Sequence, residues 1–545
     1  MSSHRSTGST SLRKGQACIY CRRRKMKCDG ARPICGPCRR GQRPEDCEYT
    51  DRHGQSRMEA LEESIARLSA RIHELENPVA PSEEPVVLRQ PYGESFTGTS
   101  SSRLRSTVLA VPSPGAMNAA GALAPLVEPP RDVILTFLNN FFEHALCLGF
   151  FLSAHDFQVS ALLPYPLGDH RRPLSSLLAV VYFFGCFLSE DPAWQARSSD
   201  YLAKALESSN TSSLASQHPQ KVLHTIQVEV LLANYLFSAG RLLEGRYHIS
   251  TAMSLCVGSG LSTIRSPALL LEDGSSTGFF RKANSPLEVG ERIMAWWVTL
   301  SLDQGWAAAF EVNSYNDPII AETETPWPLP VEEYIRGRLI SDSPRAALTV
   351  QGFLDGNDGE HSFTASPLEL AAKAALLWKQ SHLLKEASQV MDIAPLSAAT
   401  RARTDELLLV LNARRGDGDT IYAPGFSLLL ARGIAHAALI SLICLRSSNS
   451  EGLEKVVNSS LSILGIIEKL DPRAIHINPL FTMLWTLASR SLTDILQRVP
   501  AIQGDQRNTL VIAIRDGLLA MDRFGSKSDL TKHQVHKIHE VLQNL

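Results

Sequence analysis

The sequence predicts a small metal-held cluster near the N-terminus, a short coiled coil, and then a large all-α domain. Three observations lead to this fold class. Six of the ten cysteines fall between positions 18 and 47, apolar residues repeat at three- and four-residue spacing over 58–77, and helical periodicity dominates from about Arg131 onward. A chain of 545 residues is too long for one ordinary core, so we expect more than one domain.

Charge is distributed unevenly along the chain. Residues 1–57 hold 14 Lys and Arg against 5 Asp and Glu, whereas the remaining residues hold 40 against 51. A basic segment joined to an acidic body is typical of a polyanion-binding module attached to a separate domain. The start of the chain lacks the apolar run of a secretory signal, and the apolar run 177–188 is too short to cross a bilayer. We therefore expect no membrane association.

The cysteines follow the spacing C-x2-C-x6-C-x6-C-x2-C-x8-C, which is an internal duplication. Zinc takes four ligands, so six thiolates fill two tetrahedral sites only if two of them bridge. By the duplication, the bridging pair is Cys18 and Cys35. One ion would then be held by Cys18, Cys21, Cys28 and Cys35, and the other by Cys18, Cys35, Cys38 and Cys47. A redox C-x2-C pair or a one-zinc ribbon with spare thiols is the alternative.

Two stretches of this segment resemble a known family. "CIYCRRRKMKCD" (18–29) and "RPICGPC" (32–38) closely resemble the fungal zinc-cluster (Zn2Cys6) DNA-binding domain. The resemblance implies a binuclear zinc cluster with two zinc ions per chain. It also implies a nuclear, zinc-dependent transcription factor that regulates RNA polymerase II transcription and binds CGG-type half-sites in the major groove of double-stranded DNA.

The residues between Cys21 and Cys28 are almost all basic. A basic helix N-terminus in the major groove could donate to guanine O6 and N7, while flanking cations bind phosphates. The resemblance assigns base reading to Lys25, three residues before the third cysteine, with Arg24 beside it. The cations expected at the DNA backbone are Arg22, Arg23 and Lys27. A solvated basic face or a nuclear import signal is the alternative for such a run.

The segment 58–77 has the pattern of a parallel two-stranded coiled coil. With Met58 at position a, β-branched residues follow at a and Leu occupies every d, which favours a dimer. The predicted dimer residues are Met58, Leu61, Ile65, Leu68, Ile72 and Leu75. One amphipathic helix packed on its own chain is the alternative. Residues 48–57 could span at most about 33 Å and would set the separation of two half-sites.

The expected domain order assigns every part of the chain. Residues 78–130 contain nine prolines, which predicts a disordered linker. The helical patterns at 133–146, 224–237, 368–387 and 426–445 predict an all-α regulatory domain of one or two lobes after it. The domains are 1–17 (disordered), 18–50 (zinc cluster), 51–57 (linker), 58–77 (coiled coil), 78–130 (disordered linker) and 131–545 (all-α).

The region 220–330 resembles the family's fungal-specific transcription-factor middle domain. The matching pieces are "LLEGRYHISTAMSLCVGSGL" (242–261), "ERIMAWWVTLSLD" (291–303) and "TPWPLP" (325–330). In the second piece Ile293, Trp296, Trp297 and Leu300 share a helix face, and we expect these side chains in the core. Co-regulators or the transcription machinery are expected partners, and a small-molecule effector is a possible one.

An enzyme is not expected from this sequence. It has no P-loop, no G-x-S-x-G and no H-E-x-x-H, and the histidines at 533, 536 and 539 lie in a polar segment, where solvent exposure is a better interpretation than metal ligation. The alternative function is a zinc-stabilised protein-interaction scaffold without sequence-specific DNA binding. The basic run and the adjacent dimer pattern both favour the DNA-binding interpretation.

Overall fold

In a computed structural model, the chain divides into two units, residues 1–120 and 121–545. The predicted coiled coil 58–77, and the predicted linker up to residue 127, lie outside the described residues. The described residues are 17–41, 43, 46–47, 49, 128–210, 217–272, 279–314, 316–339, 348–357, 365–388, 392–414, 425–444, 450–468, 476–498 and 504–543.

The described residues of the first unit form two short helices, α1 (Ile19–Arg23) and α2 (Gly36–Arg40). Each follows a cysteine in extended conformation, Cys18 or Cys35, which serves as its N-cap. Corresponding backbone hydrogen bonds start and end the two helices, so the duplication inferred from the cysteine spacing is present in the backbone. These bonds are Arg22 N to Cys18 O and Arg39 N to Cys35 O, both 3.0 Å, with Met26 N to Cys21 O (2.9 Å) and Arg43 N to Cys38 O (3.1 Å).

The second unit is helical, and its described residues include no strand. The first of its described helices begins at Arg131, the residue from which the sequence shows helical periodicity. The helices are α3 (Arg131–Phe142), α4 (Ala154–Ala161), α5 (Ser175–Phe187), α6 (Pro192–Ala196), α7 (Ser198–Asn210), α8 (Lys221–Ser238), α9 (Leu242–Gly258), α10 (Pro286–Ala309), α11 (Asp317–Ala321), α12 (Val331–Ile335), α13 (Thr349–Asp355), α14 (Pro367–Ala387), α15 (Ala394–Ala413), α16 (Gly425–Cys444), α17 (Ser450–Glu468), α18 (Leu480–Arg498), α19 (Asp505–Gly525) and α20 (Asp529–Gln543). A 3-10 turn, Pro267–Leu271, precedes α10.

The two long helices α10 and α14 begin with the same four residues, Ser-Pro-Leu-Glu. In each, the serine hydroxyl at the N-cap accepts a hydrogen bond from the glutamate N–H three residues later, at 3.2 Å for Ser285 and 3.0 Å for Ser366. Proline at the first helical position fixes φ and has no N–H to leave unsatisfied. These local signals fix where both helices start, and the two helices pack against each other.

In the described part of the second unit, one large hydrophobic core extends from residues of α3 to residues of α20, and a small separate cluster contains Leu384, Ile393 and Leu442. Whether the domain has one lobe or two stays a prediction. As predicted, Ile293, Trp296, Trp297 and Leu300 of α10 are fully buried in this core. The Trp297 indole donates a hydrogen bond of 2.7 Å to Pro326 O and stacks on Trp327 with the ring centroids 4.2 Å apart.

Among the described helices, Phe426–Ile443 within α16 is the one that is long and apolar enough to cross a membrane. It is longer than the apolar run 177–188. Of this stretch 78% is buried inside the unit, where α16 packs against α14, α15 and α17. This degree of burial is typical of a helix in a protein core.

Helices α3 and α5 cross closely at Gly185. A Cβ atom at this position would lie 2.6 Å from Phe137 Cα and 2.7 Å from Phe137 O, so it would meet backbone atoms that cannot rotate away. The Asn140 side-chain amide donates a hydrogen bond of 3.1 Å to Gly185 O and ties the two helices together. The absence of a side chain at residue 185 therefore sets the distance between the helices.

We expect Gly185→Ala to destabilise the helical unit by about 1–3 kcal/mol, the usual cost of overpacking a close-packed core. Gly465→Ala is the matched control, because Gly465 also lies within a helix, α17, and a Cβ there meets nothing within 4 Å. The control should gain roughly 0.5–1 kcal/mol from the higher helix propensity of alanine. Denaturant unfolding followed by circular dichroism measures both changes, and equal effects would contradict the close crossing.

Candidate metal centre and nucleic-acid interface

The six clustered cysteines form two sets of four sulfur atoms. The sulfurs of each set lie within 4.8 Å of one another, and Cys18 and Cys35 belong to both. The two sets are Cys18, Cys21, Cys28 and Cys35, and Cys18, Cys35, Cys38 and Cys47. These are the ligand sets that the duplicated spacing predicts.

Distances between the sulfur atoms agree with zinc coordination. A tetrahedron with Zn–S bonds of about 2.3 Å has edges of about 3.8 Å. Sγ of Cys18 lies 3.7 Å from Sγ of Cys35 and 3.8 Å from Sγ of Cys38, and Cys21 lies 3.7 Å from Cys35. The donor set therefore fits two ions that share Cys18 and Cys35.

Backbone N–H groups point at several of these sulfurs. Cys35 N donates to Cys47 Sγ at 3.2 Å, and Gly30 N donates to Cys28 Sγ at 3.5 Å. Burial raises the pKa of the Cys18 and Cys35 thiols above the usual range of cysteine. Burial also acts to raise the pKa of Cys28, but hydrogen-bond donors around its sulfur lower that pKa to about 7. Since zinc binds thiolates, the ions must displace the remaining protons, and metal binding is coupled to folding of this unit.

Asp29 and Tyr49 hold the loop that connects the two halves. The Asp29 carboxylate accepts hydrogen bonds from Gly36 N, at 2.9 and 3.1 Å, and from Ala31 N at 3.2 Å. The Tyr49 hydroxyl donates to Ala31 O at 2.9 Å, and its oxygen lies 4.0 Å from Cys28 Sγ. The cysteine spacing assigns no role to either residue, although the position of Asp29 directly after the third cysteine is visible in the sequence.

All the basic residues from Arg22 to Lys27 are solvent-exposed. They lie on the last turn of α1 and just beyond it, so the expectation of a basic helix N-terminus is wrong. The physical reason is that the cysteine N-cap fixes the start of α1 inside the metal centre. The exposed end is then the C-terminal one, whose carbonyl groups favour nearby cations.

Lys25 directly follows Arg24, the C-cap residue of α1. Its φ of 54° is in the left-handed region, where glycine is the usual residue. Lys25 N donates to Arg22 O at 3.2 Å and Met26 N donates to Cys21 O at 2.9 Å, which together form a Schellman motif. The turn that contains Lys25 is therefore anchored directly to a metal ligand, Cys21.

The two halves differ in the groups around their cations. Arg24 lies over the Tyr20 ring, 5.4 Å from its centroid. At the equivalent end of α2, Arg39 and Arg40 are exposed, while Arg43 forms an ion pair of 3.4 Å with Asp46. The first half thus presents the denser positive surface.

The remaining candidate residues divide into two groups. The predicted dimer residues lie outside the described part of the chain: Met58, Leu61, Ile65, Leu68, Ile72 and Leu75. As predicted, three histidines of the C-terminal helix α20 are solvent-exposed: His533, His536 and His539.

Together these features define a binuclear thiolate cluster that carries an exposed basic turn. Residues 16–56 match the family described as the fungal Zn(2)-Cys(6) binuclear cluster domain. The N-terminal unit therefore contains a Zn2Cys6 domain that binds two zinc ions through the six cysteines. The matched residues do not include 220–330, so the middle-domain resemblance stays a prediction.

Curated proteins share this domain. The C6 finger domain transcription factor hasF of Aspergillus fumigatus is 50% identical over 54 residues, which are 9% of this chain and 7% of that protein. The chromatin structure-remodeling complex protein RSC30 of Saccharomyces cerevisiae is 50% identical over 44 residues, which are 8% of this chain and 5% of that protein. No solved structure matches the chain.

Proposed function

We propose that this protein is a zinc-dependent, sequence-specific DNA-binding transcription factor that regulates RNA polymerase II transcription. One observation carries the proposal: an exposed basic turn is fixed on both sides by zinc ligands, Cys21 and Cys28. A run of cations held in this way keeps a defined shape, as groove binding requires, whereas an import signal needs no such scaffold. The similarity of this domain to part of the transcription factor hasF also supports the proposal.

Base reading is assigned to Lys25 and Arg24 at CGG-type half-sites in the major groove. Lys25 lies beyond the last helical turn, so its ammonium group can extend away from the cluster toward guanine O6 and N7. Arg22, Arg23 and Lys27 flank it and are assigned to phosphates, which position the domain without reading sequence. We assign the dimer contact to 58–77 and the location to the nucleus. Further partners are the transcription machinery or co-regulators.

Selection of bound duplexes from a random pool by the full-length, zinc-loaded protein tests this function. We expect enrichment of two CGG-type triplets at one constant separation, because the coiled coil would hold two clusters a fixed linker length apart. Enrichment of one isolated triplet would contradict the dimer. Binding with no enriched sequence would contradict the function itself and favour the scaffold alternative.

A further inference from the structure

A cavity of about 310 Å³ lies in the helical unit where the starts of α4, α8 and α10 meet. Its volume is at the lower end of the range for small-molecule sites, roughly 300–1,000 Å³. His224, Arg281 and Glu291 lie on its wall, and each has a polar side-chain atom with no hydrogen-bond or ion-pair partner among the described residues. The exposed carboxylate of Asp156 lies on the same wall.

His224 presents a hydrogen-bond donor to the cavity. The side chain is only 5% exposed, and its Nδ1 accepts a hydrogen bond of 3.2 Å from Leu174 N. The ring proton is therefore on Nε2, for which the described residues provide no acceptor. Burial lowers the pKa of His224 to about 3, so the ring stays neutral. Its neighbour His218, with the ring centroids 4.7 Å apart, donates from Nε2 to Arg172 O.

Glu291 presents a carboxylate oxygen to the same cavity. The side chain is 8% exposed, and Oε1 accepts a hydrogen bond of 2.7 Å from Ser153 N. Within the described residues Oε2 has no hydrogen-bond partner. Burial raises the pKa of Glu291 to about 7. By contrast, both carboxylate oxygens of the nearby Glu288 have partners. Its Oε1 forms an ion pair of 2.9 Å with Arg292, and its Oε2 accepts hydrogen bonds from Asn284. A buried carboxylate with one free oxygen needs an explanation.

Arg281 supplies a cation at the solvent-exposed side of the cavity. Three arginines line this cavity, and two of them are paired: Arg171 with Asp169, and Arg172 with Glu128. The backbone carbonyl of Arg281 accepts a hydrogen bond of 2.8 Å from Arg292 Nη2. The guanidinium group of Arg281 has no carboxylate partner in the described part of the unit. The cavity thus combines one unpaired cation, one buried carboxylate oxygen and one buried N–H donor.

We propose that this cavity binds a small molecule that carries both an amine and a carboxylate, as an amino acid does. The ligand ammonium group would bind Glu291, its carboxylate would bind Arg281, and His224 Nε2–H would donate to a ligand oxygen. An anion alone would leave the buried Glu291 carboxylate without a cation, and an amine alone would make no use of the Arg281 guanidinium, which faces solvent at the edge of the cavity. The inference concerns the helical unit alone and stands independently of the DNA-binding proposal.

Thermal unfolding of the full-length protein with millimolar standard L-amino acids, singly and in pools, is the first test. We expect one chemical group of amino acids to raise the melting temperature and to show saturable heat in titration calorimetry. The corresponding decarboxylated amine and α-keto acid should bind roughly tenfold or more weakly, because each lacks one charged contact. No binding by any amino acid, or equal binding of the amine or keto acid, would overturn the proposal.

Two substitutions tie the binding to this cavity. Glu291→Gln keeps an acceptor for Ser153 N–H, and Arg281→Ala changes an exposed side chain, so both variants should fold. Each should weaken amino-acid binding by roughly tenfold or more. The matched controls Glu190→Gln and Arg515→Ala change exposed residues outside the cavity and should leave binding unchanged. Wild-type affinity in both cavity variants would overturn the assignment. Zinc content and DNA binding, measured in parallel, are not expected to change.

Discussion

Cys18→Ser is expected to remove both zinc ions from the protein and to abolish DNA binding. The Cys18 sulfur belongs to both ligand sets, so its loss leaves each ion with three thiolates. Cys18 is also the N-cap of α1, and its sulfur accepts a hydrogen bond of 3.4 Å from Cys21 N. Since metal binding supplies most of the folding free energy of so small a unit, the basic turn loses its scaffold together with the ions.

Cys21→Ser is the matched control for this prediction. Cys21 belongs to one ligand set only, and the set Cys18, Cys35, Cys38 and Cys47 stays complete without it. Zinc measured by mass spectrometry after dialysis should fall from two per chain to about one in Cys21→Ser and to none in Cys18→Ser. Equal zinc content in the two variants would contradict the bridging role of Cys18. The helical unit should keep its circular dichroism in both, because it is a separate compact unit.

The metal centre could be predicted from the sequence because its geometry follows from local spacing and ligand number. Two four-coordinate ions need eight ligand positions, so six cysteines suffice only if two of them bind both ions. Because the two halves are equivalent, one bridging sulfur is expected from each half, and the observed ligand sets share Cys18 and Cys35. The helical class and the start at Arg131 could be predicted for a similar reason, since apolar periodicity is also local information.

The direction in which α1 presents its cations could not be predicted in the same way. Composition alone does not show which end of α1 faces the metal centre. The N-terminal end faces it because Cys18, in extended conformation, is both a ligand and the N-cap of the helix. The cavity of the helical unit is a stronger example. Ser153, His224 and Glu291 come from three helix starts far apart in the chain, and only tertiary packing brings them together. A glutamate within the buried, tryptophan-rich segment of α10 was the one available signal.

Lys25→Ala is expected to abolish preference for the selected triplet while retaining most of the salt-dependent binding to random DNA. A well-placed contact to a base edge contributes about 1–3 kcal/mol of discrimination, whereas a phosphate contact weakens binding equally on all sequences when it is lost. Lys27→Ala is the control for the second case, because Lys27 is an exposed cation two residues away. It should reduce the slope of log affinity against log salt by about 0.9 and leave the preference intact.

Lys25→Gly separates the side chain from the backbone turn that carries it. Alanine retains the strain of a non-glycine residue at φ 54°, so loss of preference in Lys25→Ala alone could reflect a distorted end of α1. Glycine adopts this conformation freely, and we expect Lys25→Gly to stabilise the turn by roughly 1 kcal/mol. Chelator competition for zinc measures that gain. If Lys25→Gly holds zinc at least as tightly as the wild type and still loses the triplet preference, the lysine side chain reads the bases. If it keeps the preference, the sequence is read by another group, and the assignment of Lys25 is wrong.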